Sequence, residues 1–491
     1  MIKLKKSYRI NLVVMLLGVV LYSCNDFLDE NPDNRVGLDD LDKAAQLLVS
    51  AYSIASPNFT DWMTDDVQFT VGTNQRLSHQ QIYTWDDVTT GPTEQDSPDF
   101  YWFETYNAIA HANEVLAILD DLVVTDEDEA RRDAIKGEAL LVRAYGHFML
   151  VNMFGEHFSS SAGRGVPYIR EPETEFLAEY ERLSVRRVYD RVEEDMLEGL
   201  DLIDDSFFEN SGKYHFNRNA ALAFASRFYL FKGNFQLCRQ YSDELLGSNP
   251  GAFVRDLTSQ EFNVAGASIT EYPRLYSAPE QAANLLLMRK ISLVQRTDFA
   301  FGPDQGFYSS LFNASIFGGL TDERENPALV KGFNAVYPSR YQSLFERSSL
   351  NSNVGFPYYI HMAFTGEEVV LNRAEANAYL GDLDAAIADL QVLSNRRFSG
   401  GTPTITLAVL QNFYNSTDDL NNILSYLLFL ERRKEFMMQG MRWWDIKRYG
   451  LAVTHDLADG STISLDANDP RKVLQIPQSA IDVGGLRPNP R

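Results

Sequence analysis

The side chains able to do acid–base or covalent chemistry are plentiful in this chain but lack a catalytic spacing. Sixty-eight Asp and Glu residues make neighbouring carboxylates inevitable, so no glycosidase-like pair follows without the distance between the two groups. The seven histidines are scattered. None stands in a His-Glu-x-x-His arrangement, which would place two imidazoles and a base on one helix face for zinc. There is no nucleophile elbow, no phosphate-binding loop and no Cys-x-x-Cys pair. His147, inside an apolar helical stretch, reads as a core residue. The segment Asp466-Ala467-Asn468-Asp469 has oxygens for calcium but lacks the glycine and distal glutamate of a complete loop, and reads as a solvated turn. Neither catalysis nor a cofactor is expected; a structural calcium stays open but without support from this spacing.

The reactive side chain in a distinctive place is Cys24. Lys3, Lys5, Lys6 and Arg9 precede an apolar run over 10–21, and Tyr22-Ser23-Cys24 leads at once into acidic residues. This is the layout of a secretory signal over residues 1–23. A run of about a dozen apolar residues is too short for a spanning helix, which needs roughly 20. Leu21-Tyr22-Ser23-Cys24 resembles a bacterial lipobox, whose cysteine takes a diacylglycerol and becomes the mature N-terminus. An ordinary signal with an incidental cysteine is the other reading. Loss of the signal removes four positive charges and no acids, taking the formal charge from -24 to -28. So acidic a surface argues against nucleic acid and against charge-driven binding to anionic lipid. Membrane attachment then falls to acyl chains, at about 0.8 kcal/mol per buried methylene, with two or more chains giving a stable anchor. Cys238 has no remaining partner, so burial and not a disulfide holds the core.

The elements that carry these residues read as one mainly α-helical body with long loops. Ile109, Ala112, Asn113, Leu116 and Leu119 mark one helix from about Asn107. A second, from about Ala130 to Phe154, is apolar nearly all round and should be central. ALAFASRFYLFKGNFQLCRQYSDELLGSNP, from Ala221, resembles a tetratricopeptide unit, with the turn at Gly233-Asn234 and Cys238 at the small position. A second unit lies in GEEVVLNRAEANAYLGDLDAAIADLQVLSNRR, from Gly366, turning at Gly381-Asp382. The interval between them is rich in Gly, Pro, Asn and aromatics without helical period, and loops that long are usually functional.

Together these segments are similar to the SusD/RagB family of outer-membrane nutrient-binding lipoproteins of Bacteroidetes. The resemblance runs in the family's order through CNDFLDENP, GEALLVRAYGHFMLVNMFG with GVPYI, SVRRVYDRVEEDMLEGLDLI, both helix pairs, ERRKEFMMQGMRWWDIKRYG and the closing VLQIPQSAIDVGGLRPNP. Met437-Met438-Gln439 departs from the family pattern before Gly440. The resemblance implies residues 24–491 as one nutrient-binding domain. Its tetratricopeptide-like pairs would lie near 107–155, 184–250 and 366–397, its ligand-face insertions near 58–103 and 251–365, and a C-terminal motif at 431–450. It further implies no enzyme activity, a surface location on the outer membrane, and a SusC-like TonB-dependent β-barrel transporter as partner. The ligand would be an oligosaccharide; a peptide, as in the RagB branch, and a protein-interaction scaffold are the alternatives.

Glycan binding without catalysis asks for flat aromatic faces flanked by amide, hydroxyl and guanidinium groups. The first insertion offers Trp62, Tyr83 and Trp85 with Asn74, Gln75, Arg76 and Gln81, and the second Tyr276, Phe299, Phe301, Phe307 and Tyr308. For Trp62 and Trp85, set among polar and turn residues, binding and loop packing are equally open. Trp102, at a helix entry, reads as packing. The expected platform joins Trp62, Trp85, Tyr276, Phe301 and Tyr308, with Asn74 and Arg76 reaching the hydroxyls, and it requires the fold to bring both insertions to one face. Glu431, Arg432, Glu435, Trp443 and Trp444 read as packing and ion pairing.

Overall fold

The computed structural model describes residues 40–70, 76–160, 162–174, 179–208, 210, 212–296, 300–331 and 334–491. Cys24, Asn74, Gln75 and Phe299 lie outside the described residues. The helices that build the body are α1 (Pro98–Asp121), α2 (Glu129–Phe154), α3 (Val185–Leu202), α4 (Arg218–Lys232), α5 (Phe235–Leu246), α6 (Gly366–Tyr379), α7 (Leu383–Ser394), α8 (Leu420–Glu435) and α9 (Arg442–Tyr449). Their starts are written locally: Ser97, Ser184, Asn217, Asn234, Thr365, Asp382 and Asp419 each accept a first-turn N–H. The helix expected from about Asn107 starts earlier, at Pro98, which suits the first turn because it lacks an N–H.

Helix α2 is central, as its apolar circumference requires. Phe148 on it meets the rings of Tyr189, Phe224, Phe228, Phe231 and Trp444. It packs on α3 through facing glycines: a Cβ on Gly137 would stand 2.9 Å from the Gly199 carbonyl oxygen, and one on Gly199 would stand 2.8 Å from that of Gly137. The pairs α4/α5 and α6/α7, more than a hundred residues apart in sequence, stack directly, α5 against α6. This is tetratricopeptide-like stacking interrupted by a long insertion. Cys238 is fully buried in that stack beside Ser226 and the Asn372 carbonyl, and burial pushes its thiol pKa up to about 12. His147 is a satisfied core histidine, its Nδ1 bonded to the Arg143 carbonyl and its Nε2 accepting from the Ile169 N–H.

The interval between the pairs is more ordered than its composition suggests. Its centre is an antiparallel sheet with strand order Asn284–Ile291, Gly355–Thr365, Leu344–Arg347. The first strand is buried on both faces and so lacks the alternation that betrays a strand, and the last has only four residues. Buried ion pairs tie this half to the helices. Arg227 on α4 holds Glu368 on α6; Arg255 lies 2.8 Å from Glu367; Arg397 clamps Glu435 at 2.9 and 2.8 Å; Arg324 reaches Glu431 at 2.8 Å. Arg432 pairs with Asp445, and Arg448 with Glu375. The 431–450 segment is thus a structural clasp, with Trp443 and Trp444 buried in it. Met437 and Met438 are buried too, and the Met438 carbonyl accepts from Asn58. Among the described residues no helix is long and apolar enough to cross a membrane.

Candidate functional site

Both insertions reach one face. Gln68–Phe69 pairs antiparallel with Phe301–Gly302, and the Thr70 N–H donates to Ala300 at 2.7 Å. Tyr83 stacks on Phe301 with centroids 4.4 Å apart, and on its other side on His455 at 4.1 Å; Trp85 stacks on His455 at 4.4 Å. Both nitrogens of His455 meet carbonyls, those of Tyr83 and Thr64, each at 2.8 Å. Burial lowers its pKa while these two carbonyls pull it back toward the charged form.

This column corrects the expected platform. Trp62 (0 %), Tyr83 (1 %), Trp85 (3 %), Phe301 (3 %), Tyr276 (3 %) and Tyr308 (1 %) offer almost no surface to solvent, so in this conformation they pack and do not display. Trp62 lies against His79. Tyr276 belongs to a separate small core with Phe262 and Tyr272, under the Arg255 guanidinium, and Tyr308 packs on Phe312 and donates to the Glu325 carbonyl. Trp102 packs on Tyr106 and Phe154, and Arg433 covers Phe307. Gln81 braces the loop by accepting from the Thr89 N–H. The signal that placed these rings on the ligand face was polar neighbours in sequence, and of those Gln81 serves the loop's own hydrogen bonding.

Among the described residues, half-buried Phe69 and several polar groups keep surface near the junction. Arg76, the residue before helix Leu77–Tyr83, is about a third exposed and 3.8 Å from Glu94, which also accepts from Ser78. Two residues on, Asp96 accepts from the Leu293 N–H at 2.8 Å, joining the first insertion to the second, and burial raises its pKa to about 6. Exposed Arg296 then lies over half-buried Phe345, 4.5 Å from the ring centroid. Phe345 sits on the edge strand Leu344–Arg347, and the other face of that sheet carries Arg289 over Tyr358 (4.7 Å) beside Phe356, 53 % exposed. Guanidinium groups fork toward hydroxyls while ring faces take the apolar side of a sugar. Sequence reasoning passed over Phe345, Arg296, Tyr358 and Phe356; the alternation of Phe356, Tyr358 and Ile360 against buried Pro357, Tyr359 and His361 was the available sign.

Two family models match the chain, one described as starch-binding and associating with the outer membrane over 26–230, the other as the SusD family over 367–483. The chain belongs to the SusD/RagB family. SusD-like protein P38 of Formosa agariphila is 22 % identical over 499 residues, covering 91 % of this chain and 92 % of that protein. A SusD superfamily protein from Bacteroides thetaiotaomicron matches with a TM-score of 0.66 and 21 % identity, over 92 % of this chain and all of that one. A laminarin-binding SusD-like protein matches at 0.62 and 19 %, over 92 % and 99 %. At such identity the likeness to solved structures establishes the SusD fold.

Proposed function

We propose that this protein captures an oligosaccharide on the face where the two insertions meet and delivers it to a SusC-like TonB-dependent β-barrel transporter in the outer membrane. The observation that carries this reading is the meeting of two insertions some two hundred residues apart, at Gln68–Phe69 with Phe301–Gly302 and at Asp96 with Leu293, on a fold one of whose relatives is described as laminarin-binding; Arg76 and Arg296 are the cations nearest these joins in sequence. Among the described residues the site offers contact and hydrogen bonding, and on this reading the ligand is held and passed on. Cys24, acylated, would keep the protein beside its transporter, because a surface of charge -28 has no electrostatic grip on anionic lipid.

A lid that closes over a barrel mouth needs a broad contact, of roughly 2,000 Å² or more for permanent partners. Solubilised in mild detergent at native expression, the protein should therefore co-purify with a β-barrel transporter. Recovery of the protein alone would contradict the delivery step. Retention of peptides and not oligosaccharides by the complex would replace the glycan with a peptide.

A further inference from the structure

A cavity of about 220 Å³ lies beside the Trp85 column, between the loop after helix Leu77–Tyr83, the start of α1 and the C-terminal segment from Arg471 to Arg491. At about 30 Å³ for each water-sized group it has room for roughly seven non-hydrogen atoms. Met63, Ile82, Trp85 and Ile476, all but fully buried, give it an apolar lining. The indole of Trp85, which stacks on His455, forms part of that wall.

The charge around this cavity is one-sided. Among the described residues its cations are Arg471 and Arg491, and each is already paired, with Asp469 and Asp87. Asp86 accepts from the Thr84 hydroxyl and lies near Arg471. Asp99, the second residue of α1, is 8 % exposed and makes no hydrogen bond or ion pair among the described residues. A desolvated carboxylate without a donor is unfavourable, and burial pushes the Asp99 pKa up to about 6, which leaves it mostly ionised at neutral pH. With more carboxylates than cations, the wall repels an anion. A metal ion is no better suited, because among the described residues no three His, Cys, Asp or Glu side chains are grouped to hold one. A neutral ligand would leave the charge on Asp99 uncompensated.

We propose that this cavity binds a small primary alkylammonium ion with a compact body of about five or six carbons, its N–H groups donating to the Asp99 carboxylate and its hydrocarbon lying against Met63, Ile82 and Ile476. Hydrogen bonds between charged partners are roughly twice as strong as neutral ones, and an aromatic ring in the wall favours a cation further. The dipole at the start of α1 works against a cation, but its partial charge of about half a unit is smaller than the full charge on Asp99. The site is separate from the face at Phe345 and does not rest on the reading of that face.

The test titrates the full chain by calorimetry and saturation-transfer NMR with n-pentylammonium and cyclohexylammonium, against pentan-1-ol and cyclohexanol as neutral ligands of the same shape. At about pH 7.5 at least one ammonium ion should bind in the millimolar range, and the matching alcohol about tenfold or more weakly. Asp99→Asn, which keeps the shape and loses the charge, should weaken the ammonium ion by about ten- to a hundredfold and leave the alcohol nearly unchanged. If that variant does not fold, the pH dependence of the unmutated protein gives the second reading. The amines stay protonated throughout, so affinity should fall about tenfold between about pH 7.5 and about pH 5 as Asp99 takes up a proton. Failure of both ammonium ions to bind, alcohols that bind as tightly as the amines, or an affinity unmoved by Asp99→Asn or flat across that pH window would overturn the proposal.

Discussion

At the scale of single residues, burial decides what an aromatic does. Trp85 donates its indole N–H to the Met63 carbonyl and stacks on His455, so its removal leaves a void between two insertions. Truncating a buried tryptophan costs about 3 to 5 kcal/mol, and Trp85→Ala should lower the urea midpoint accordingly. An unchanged midpoint would show that the indole is not packing. The left-handed backbone itself costs a non-glycine residue about 1 to 2 kcal/mol, and alanine inherits it, so no relief offsets the loss. Residue types suited to a binding face were legible in the sequence; which of them would face water was not. Burial depends on partners such as His455 and Phe301, hundreds of residues away in the chain, and no local pattern around Trp85 announces them.

At the scale of elements, the helix pairs were readable because each repeats small and apolar residues at helical spacing and turns on Gly233-Asn234 or Gly381-Asp382. That the two pairs stack on one another was not readable, since an insertion of more than a hundred residues separates them. The sheet within that insertion escaped notice because a doubly buried strand and a four-residue edge strand lack a usable period. The α2–α3 crossing depends on Gly137 and Gly199, whose facing backbones leave no room for a methyl group. Gly199→Ala should destabilise the protein by about 1 to 3 kcal/mol, read as a shift in denaturant midpoint with unchanged slope. No shift would mean that the helices separate freely there. The clasp has a pH signature. Burial alone would raise the Glu435 pKa, but the guanidiniums of Arg397, Arg324 and Arg340 bring it down to about 2. A depressed folded pKa means that its stabilising contribution is complete above the unfolded value of about 4.3 and is lost as pH falls toward 2. Stability against urea should fall across that window, and Glu435→Gln, weaker at neutral pH, should show a flatter decline. Parallel declines for the two proteins would remove Glu435 from the acid response.

At the scale of the whole molecule, a body of formal charge -24 needs something other than charge if it is to be held to an anionic membrane. Cys24→Ala should move the protein from the membrane fraction to the soluble fraction, because acyl chains on Cys24 and not surface charge would hold it there. Persistence of the variant in the membrane fraction would contradict the anchor. The helical stack and the clasp give the insertions a packed base on which loops can carry binding residues. The most direct measurement of that central claim is calorimetric titration of the full chain with the oligosaccharide that a glycan array selects, repeated with Phe345→Ala and Arg296→Ala. A ring stacked on an aromatic contributes on the order of 1 to 3 kcal/mol by analogy with base stacking, so each variant should bind about ten- to a hundredfold more weakly with little change in melting temperature. Full affinity in both variants, or an array on which no oligosaccharide binds, would contradict capture at the insertion face.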